Sequence, residues 1–236
     1  AVNNNMAFFS DALGHSALTG IGIGTLLGLK EPLLCMIVFG ILLSIAITKV
    51  KGADMLSSDS IISVFSSTAM ALGIVILSQS GGFAKYSYYL IGDILTITPK
   101  DLALIVITLL VCYIVWILLY NDLLLVSINP SFAVSRGVNA AFTENVFVIL
   151  VAVTVMVSIR WLGILTINSL LILPAAAARN ISENAKTYHC MTTVIGLFSS
   201  VVGLVISYEW GTSAGASIVL VAAAVFFVTL LKRLRH

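Results

Sequence analysis

Near-continuous apolar stretches recur along the whole chain, separated by short polar breaks. They fall at about 10–29, 33–49, 61–80, 101–120, 144–159, 161–178, 189–208 and 213–231. A helix that crosses the hydrocarbon of a bilayer needs about 20 mostly apolar residues, so these windows predict eight membrane-spanning helices. Strands of a membrane barrel would alternate polar and apolar residues. The runs IVITLLVCYIVWILLY (105–120) and VFVILVAVTVMVSI (146–159) do not alternate, and the expected class is an all-α polytopic bundle.

The breaks between the windows carry most of the charge, and their signs predict an orientation. With the spans alternated backwards from a cytoplasmic KRLRH terminus, one side collects Lys49, Lys51, Arg136, Arg179, Lys186, Lys232, Arg233 and Arg235. The other side holds Lys30, Lys85, Lys100 and Arg160. Excess Lys and Arg mark the cytoplasmic side, so the C-terminus is expected inside. Two breaks exceed a plain turn. Segment 81–100, with Tyr86, Tyr88 and Tyr89, has the aromatic signature of the headgroup level on the outer side. Segment 121–143 is the longest inner one; within it Pro130 is placed to open a short helix and Gly137 to close it.

Composition agrees with the pattern. Of 236 residues, 60% are hydrophobic and 9% charged, with a mean hydropathy of +1.13. A soluble domain carries about 45–50% apolar and about 25% charged residues, so a water-soluble enzyme is excluded. Disorder is excluded for the same reason. A net charge of +2 gives no electrostatic footprint for nucleic acid. Cys35, Cys112 and Cys190 lack the paired spacing of a disulfide framework or a thiolate zinc site and read as apolar packing residues. The opening AVNNNMAFF lacks the basic region and apolar core of a signal peptide. There is no GxxxxGK[ST], GxSxG or HExxH motif, so nothing points to catalysis by this chain.

Candidate chemistry concentrates in the first window. Asp11 and His15 are spaced i,i+4 and share a helix face. A carboxylate with an imidazole suits Zn²⁺, Mn²⁺ or Fe²⁺. An Asp at the centre of a membrane helix costs about 2.5–3.5 kcal/mol on insertion scales, and such residues usually face a cavity. The same residues also admit a structural reading, with Ser10 as helix cap, Asp11 complementing the helix dipole and His15 bonded to a neighbouring helix. Gly20, Gly24 and Gly28, extended backwards by Ser16 and Ala12, form a small-residue stripe suited to close helix packing, within the chain or with a second copy. Asn168 and Pro174 lie inside the 161–178 window, where the proline predicts a kink and the amide is a possible pathway residue. Glu209 is expected in an exposed outer turn.

Five segments, taken together and in order, resemble the permease subunits of ABC importers for zinc, manganese or iron(II). FSDALGHSALTG (9–20) is similar to that family's GDALSHAALPG-like stretch, and YLIGDILTITPKDL (89–102) to its YLFGxIL-like stretch. NPSFAVSRGV (129–138) resembles the DPExAxxxGV-like segment, and GILTINSLLILPAAAAR (163–179) the GVLLVxALLIxPAATAR-like one. SAGASIVL (213–220) resembles PSGAxIVL. The chain departs from the family at Gly14, Thr19 and Ser213, and Asn3, Asn4 and Asn5 stand where a basic pair is usual.

The resemblance implies a single permease domain over 1–236, with one further helix expected upstream of residue 1. It implies that Asp11 and His15 contact a transported divalent metal, zinc or manganese with iron a further candidate, and that no cofactor is held permanently. Segment 129–142, with Pro130, Ala133 and Gly137, would couple to a separate cytoplasmic ATPase. The implied partners are a second copy of the chain, that ATPase, an extracytoplasmic metal-binding protein and the bilayer of a bacterial plasma membrane. The rival expectation is an ATP-independent secondary transporter or channel; it calls for an inverted repeat with paired broken helices, whereas only the Pro174 span is interrupted.

Overall fold

A computed structural model describes residues 9–51, 57–79, 86, 88–92 and 94–234. Every regular element among them is helical: α1 (Phe9–Leu26), α2 (Leu33–Lys51), α3 (Ser58–Gln79), the short α4 (Tyr88–Ile91) followed by a 3₁₀ turn (Ile94–Thr96), α5 (Pro99–Ile128), the short α6 (Pro130–Ser135), α7 (Ala140–Ile181), α8 (Ala185–Trp210) and α9 (Ala214–Leu234). The chain divides into two compact units. One holds α1–α3, α5, α6 and α7 up to Ser158; the other holds residues 87–96 and everything from Ile159 onward.

Among the described residues, six helices are long and apolar enough to cross a membrane: α2, α3, α5, α7, α8 and α9. Two findings reconcile this with the eight predicted windows. Helix α1 is too polar to qualify by composition, and windows 144–159 and 161–178 run together in α7. The backbone leaves helical geometry inside α7 at Gly163 (φ 78°, ψ 158°), while Pro174 sits within the helix. The departure at Gly163, which lies ahead of Pro174, has a packing reason. Gly92 and Gly163 both have positive φ, and a Cβ on either would strike the other's backbone or that of its neighbour. Only two glycines permit this contact.

In the first unit the helices approach closely through small residues. A Cβ on Gly20 would lie 2.5 Å from Met36 Cα, and one on Gly24 would lie 2.9 Å from Pro32 Cβ. A Cβ on Gly73 of α3 would lie 2.6 Å from the Thr19 nitrogen. The predicted stripe thus packs in part against α2 of the same chain, while Gly28 lies beyond α1 with nothing near it. Thr19 Oγ1 donates to the Ala69 carbonyl, tying α1 to α3. Thirteen of the 18 residues of α1 are buried, whereas α5 has no buried residue at all. The more polar helix is enclosed and the apolar one faces outward, as a lipid solvent requires.

Local signals set the ends of α5. Thr98 and Asp101 form a reciprocal capping box, and Pro99 occupies the first turn. At 30 residues, α5 is about 45 Å long, beyond the roughly 30 Å of hydrocarbon. The predicted interfacial tyrosines are placed otherwise: Tyr86 and Tyr89 are buried within the protein. The side chain of Tyr88 lies outside the described residues. Glu209 is exposed, as expected, in the last turn of α8. The cysteines are free; Cys112 Sγ contacts Thr154 Oγ1 at 3.2 Å, and Cys190 is exposed rather than packed.

These contacts predict a ranking. Gly20→Ala and Gly73→Ala, each placing a methyl against backbone, are expected to destabilise the protein by about 1–3 kcal/mol. Gly196→Ala, where the nearest atom would be Pro174 at 3.9 Å, is expected to be neutral or slightly stabilising. Thermal unfolding in detergent checks the order.

Candidate metal site

Helix α1 places Asp11 in its first described turn and His15 one turn later. Their shared face brings His15 Nε2 to 3.4 Å from Asp11 Oδ1, with the side chains 31% and 44% exposed. That separation is longer than a good N–H···O bond. The other imidazole nitrogen, Nδ1, is buried with no hydrogen-bond partner. A metal-ligating histidine usually donates its second nitrogen to a carboxylate or carbonyl, and among the described residues no such partner is present. Ser10 lies inside α1 rather than ahead of it, which removes it as the cap of the structural reading.

The pair opens into a cavity of about 210 Å³ whose opposite wall is α3: Ile62, Ser63, Ser66, Ser67 and Met70. These α3 positions recur at helical spacing on one face. The three serines and the methionine supply hydroxyl and thioether oxygen and sulfur beside the carboxylate and imidazole. Sequence reading did not find them. The signal was present as a cluster of serines in an apolar window, but only packing α3 on α1 tells a cavity wall from ordinary small residues. Among the described residues, no three His, Cys, Asp or Glu side chains come together to hold a metal. One chain therefore offers two strong ligands and a hydroxyl-rich wall, fewer than the four that a closed structural zinc site takes.

The predicted inner helix is present as α6. Asn129 Oδ1 accepts from the Phe132 amide at 3.0 Å, Pro130 occupies the first turn, and Gly137 (φ 82°) ends the segment. Ala133 is buried beneath it, while Phe132 and Val134 are exposed and the Arg136 guanidinium lies 5.2 Å from the Phe132 ring centroid. Lys51 Nζ, at the end of α2, pairs with Glu144 Oε1 near the start of α7 at 3.3 Å. Asn168 is half-buried on α7 in the second unit, and Asp11 and His15 belong to the first.

A multi-pass helical membrane protein that encloses its most polar helix, and opens a carboxylate–imidazole pair from it into a small cavity, has the architecture of a transport protein. The profile of the ABC 3 transport family matches residues 1–233, and the chain belongs to that family. It is 31% identical over 231 residues to the high-affinity zinc uptake system membrane protein ZnuB of Haemophilus influenzae, covering 98% of this chain and 88% of that one. It is also 31% identical over 224 residues to the manganese import system permease protein ScaB of Streptococcus gordonii, covering 95% and 80%. The solved structure of PsaBC from Streptococcus pneumoniae in complex with Fab superposes with a TM-score of 0.83 at 28% identity, covering 97% of this chain and 82% of that one. The family resemblance read from the five motifs is borne out.

Cobalt(II) added to the protein in micelles is expected to give a visible d–d absorption band that Asp11→Ala and His15→Ala each weaken strongly. Metal ligands must be deprotonated, so the band should fade as the pH is lowered. A band unchanged in both variants would move the metal elsewhere.

Proposed function

We propose that this chain is the membrane-spanning subunit of an ATP-driven importer of zinc or manganese, with iron(II) a further candidate, in a bacterial plasma membrane. The observation that carries this reading is the Asp11–His15 pair, open to a cavity on the enclosed helix of a permease-family chain. Two ligands per chain suit brief contact during passage, since conduction needs a site strong enough to admit the ion and weak enough to release it. A second copy related by a twofold axis would bring two more ligands, so a homodimer completes the coordination that one chain leaves open. Asn168 is retained as a possible further pathway residue.

ATP hydrolysis belongs to a separate cytoplasmic subunit, and an extracytoplasmic metal-binding protein delivers the ion. The 129–142 segment is the coupling element, with Pro130 and Gly137 bounding its helix and Ala133 anchoring it. Exposed Phe132 and Val134 are the apolar surface that it offers to the ATPase. The C-terminus is cytoplasmic. The chain itself is not an enzyme. Zinc and manganese are not separated by an aspartate and a histidine, because selectivity between such metals comes from geometry and supply more than from ligand type.

The test is cellular metal content, measured by mass spectrometry in a host lacking its own zinc and manganese importers. The full-length permease is expressed with its ATPase and binding protein. Accumulation of one metal is expected, and it should be lost with Asp11→Ala, with His15→Ala and with a hydrolysis-dead ATPase. Accumulation that ignores the dead ATPase would overturn the ABC assignment in favour of a secondary carrier. In the same host, Phe132→Asp is expected to reduce uptake at least about tenfold while leaving the cobalt band of the purified protein unchanged. Removing a buried apolar anchor from an interface commonly costs more than 1 kcal/mol.

A further inference from the structure

The second unit carries a basic pocket that the transport reading does not use. It is a cavity of about 370 Å³ where the end of α7, the α7–α8 turn and the end of α9 meet, lined by Arg179, Asn180, Ser182, Glu183, Lys232 and Arg233. Three cations face one carboxylate, a local excess of two positive charges (3 − 1 = 2). Among the described residues none of these four charged groups forms an ion pair. Ser182 Oγ is buried and has no hydrogen-bond partner.

The walls are held in place. Asn180 donates from Nδ2 to Thr229 Oγ1 at 3.3 Å and accepts from Arg233 Nη1 at 3.4 Å, so one amide ties α7 to α9 and orients a guanidinium. Below, Ala177 and Ala178 are fully enclosed against Ile195, with Tyr188 and Phe226 packed around them. Cations in the last turns of α7 and α9 complement the helix dipoles. That accounts for the charges but not for an open cavity between them.

Depth identifies the ligand. Three apolar spans, α7, α8 and α9, begin or end at this pocket, which puts it at headgroup level. Ile181, Leu231 and Leu234 are exposed on the adjoining helix ends, an apolar surface next to a cationic one. We propose that this pocket binds a phosphate group, supplied by the headgroup of an anionic glycerophospholipid whose acyl chains lie along those residues. Arg179, Lys232 and Arg233 carry the charge recognition. Basic pockets between membrane helices recognise anionic headgroups in this way.

The test uses the intact permease, delipidated in detergent, with bound lipid counted by native mass spectrometry and stability followed by thermal unfolding. Phosphatidylglycerol is expected to bind and raise the unfolding temperature, and phosphatidylcholine is not. Arg179→Gln with Lys232→Gln is expected to weaken phosphatidylglycerol binding about 30-fold, the combined effect of two basic groups near a headgroup. Ser182→Ala, which removes no charge, should leave it unchanged. Both variants are expected to unfold at the wild-type temperature when no lipid is present, since the substituted groups make no bond that holds the fold. Equal responses to the two lipids, or an undiminished phosphatidylglycerol response in the double variant, would overturn the proposal. Full stabilisation by millimolar inorganic phosphate would assign the pocket to a soluble anion and overturn the lipid assignment. Protection of the pocket by the ATPase subunit, without any lipid response, would make it a protein interface instead.

Discussion

The close approach of α1 to α2 and α3 is the constraint on which the first unit rests. A helix bearing an aspartate, a histidine and several hydroxyls is unfavourable against lipid, where an Asp alone costs about 2.5–3.5 kcal/mol. It is stable in this fold because its neighbours enclose it, and they can do so only because Gly20, Gly24 and Gly73 leave no Cβ in the way. Between lipid-embedded helices there is little hydrophobic drive, so contact distance and interhelical hydrogen bonds hold the bundle together. The Thr19 bond to the Ala69 carbonyl is one such bond. It sits at a position where the related permeases are expected to carry proline, and it shows how a departure from the family pattern is accommodated by a side chain that the neighbouring helix can use.

The same enclosure generates the site. Because α1 packs against α3, the partly exposed Asp11 and His15 share a cavity with the serines of α3. Burial of the helix and the lining of this cavity follow from one arrangement. In the second unit the equivalent role falls to Gly92 and Gly163, whose backbones meet where no side chain fits, and to the alanines after Pro174, which let α8 and α9 close on α7.

Much of this was legible in the residues alone. Hydropathy located the spans because lipid demands long apolar helices and the loops between them must carry the charge. The i,i+4 spacing of Asp11 and His15 placed them on one face before any packing was known. Pro130 and Gly137 bounded the short helix because proline suits a first turn and glycine a left-handed end. Other features depended on neighbours. The break in helical geometry at Gly163 depends on Gly92, whose backbone meets it where no Cβ fits. The tyrosines of 86–89 read as interfacial from composition, yet Tyr86 and Tyr89 are buried.

By itself the sequence determined the solvent of this protein, the helical class, the places where the chain turns and the shared helix face of Asp11 and His15. These follow from local rules, namely the hydrocarbon thickness, the helical repeat and the chemistry of each side chain. Tertiary structure alone decided which helix is enclosed, which glycines touch which backbones, and which serines line the cavity beside Asp11 and His15. It also gathered three cations from two distant segments around one buried hydroxyl. Those outcomes depend on residues far apart in the chain meeting within a few ångströms, and no local pattern encodes a meeting between distant segments.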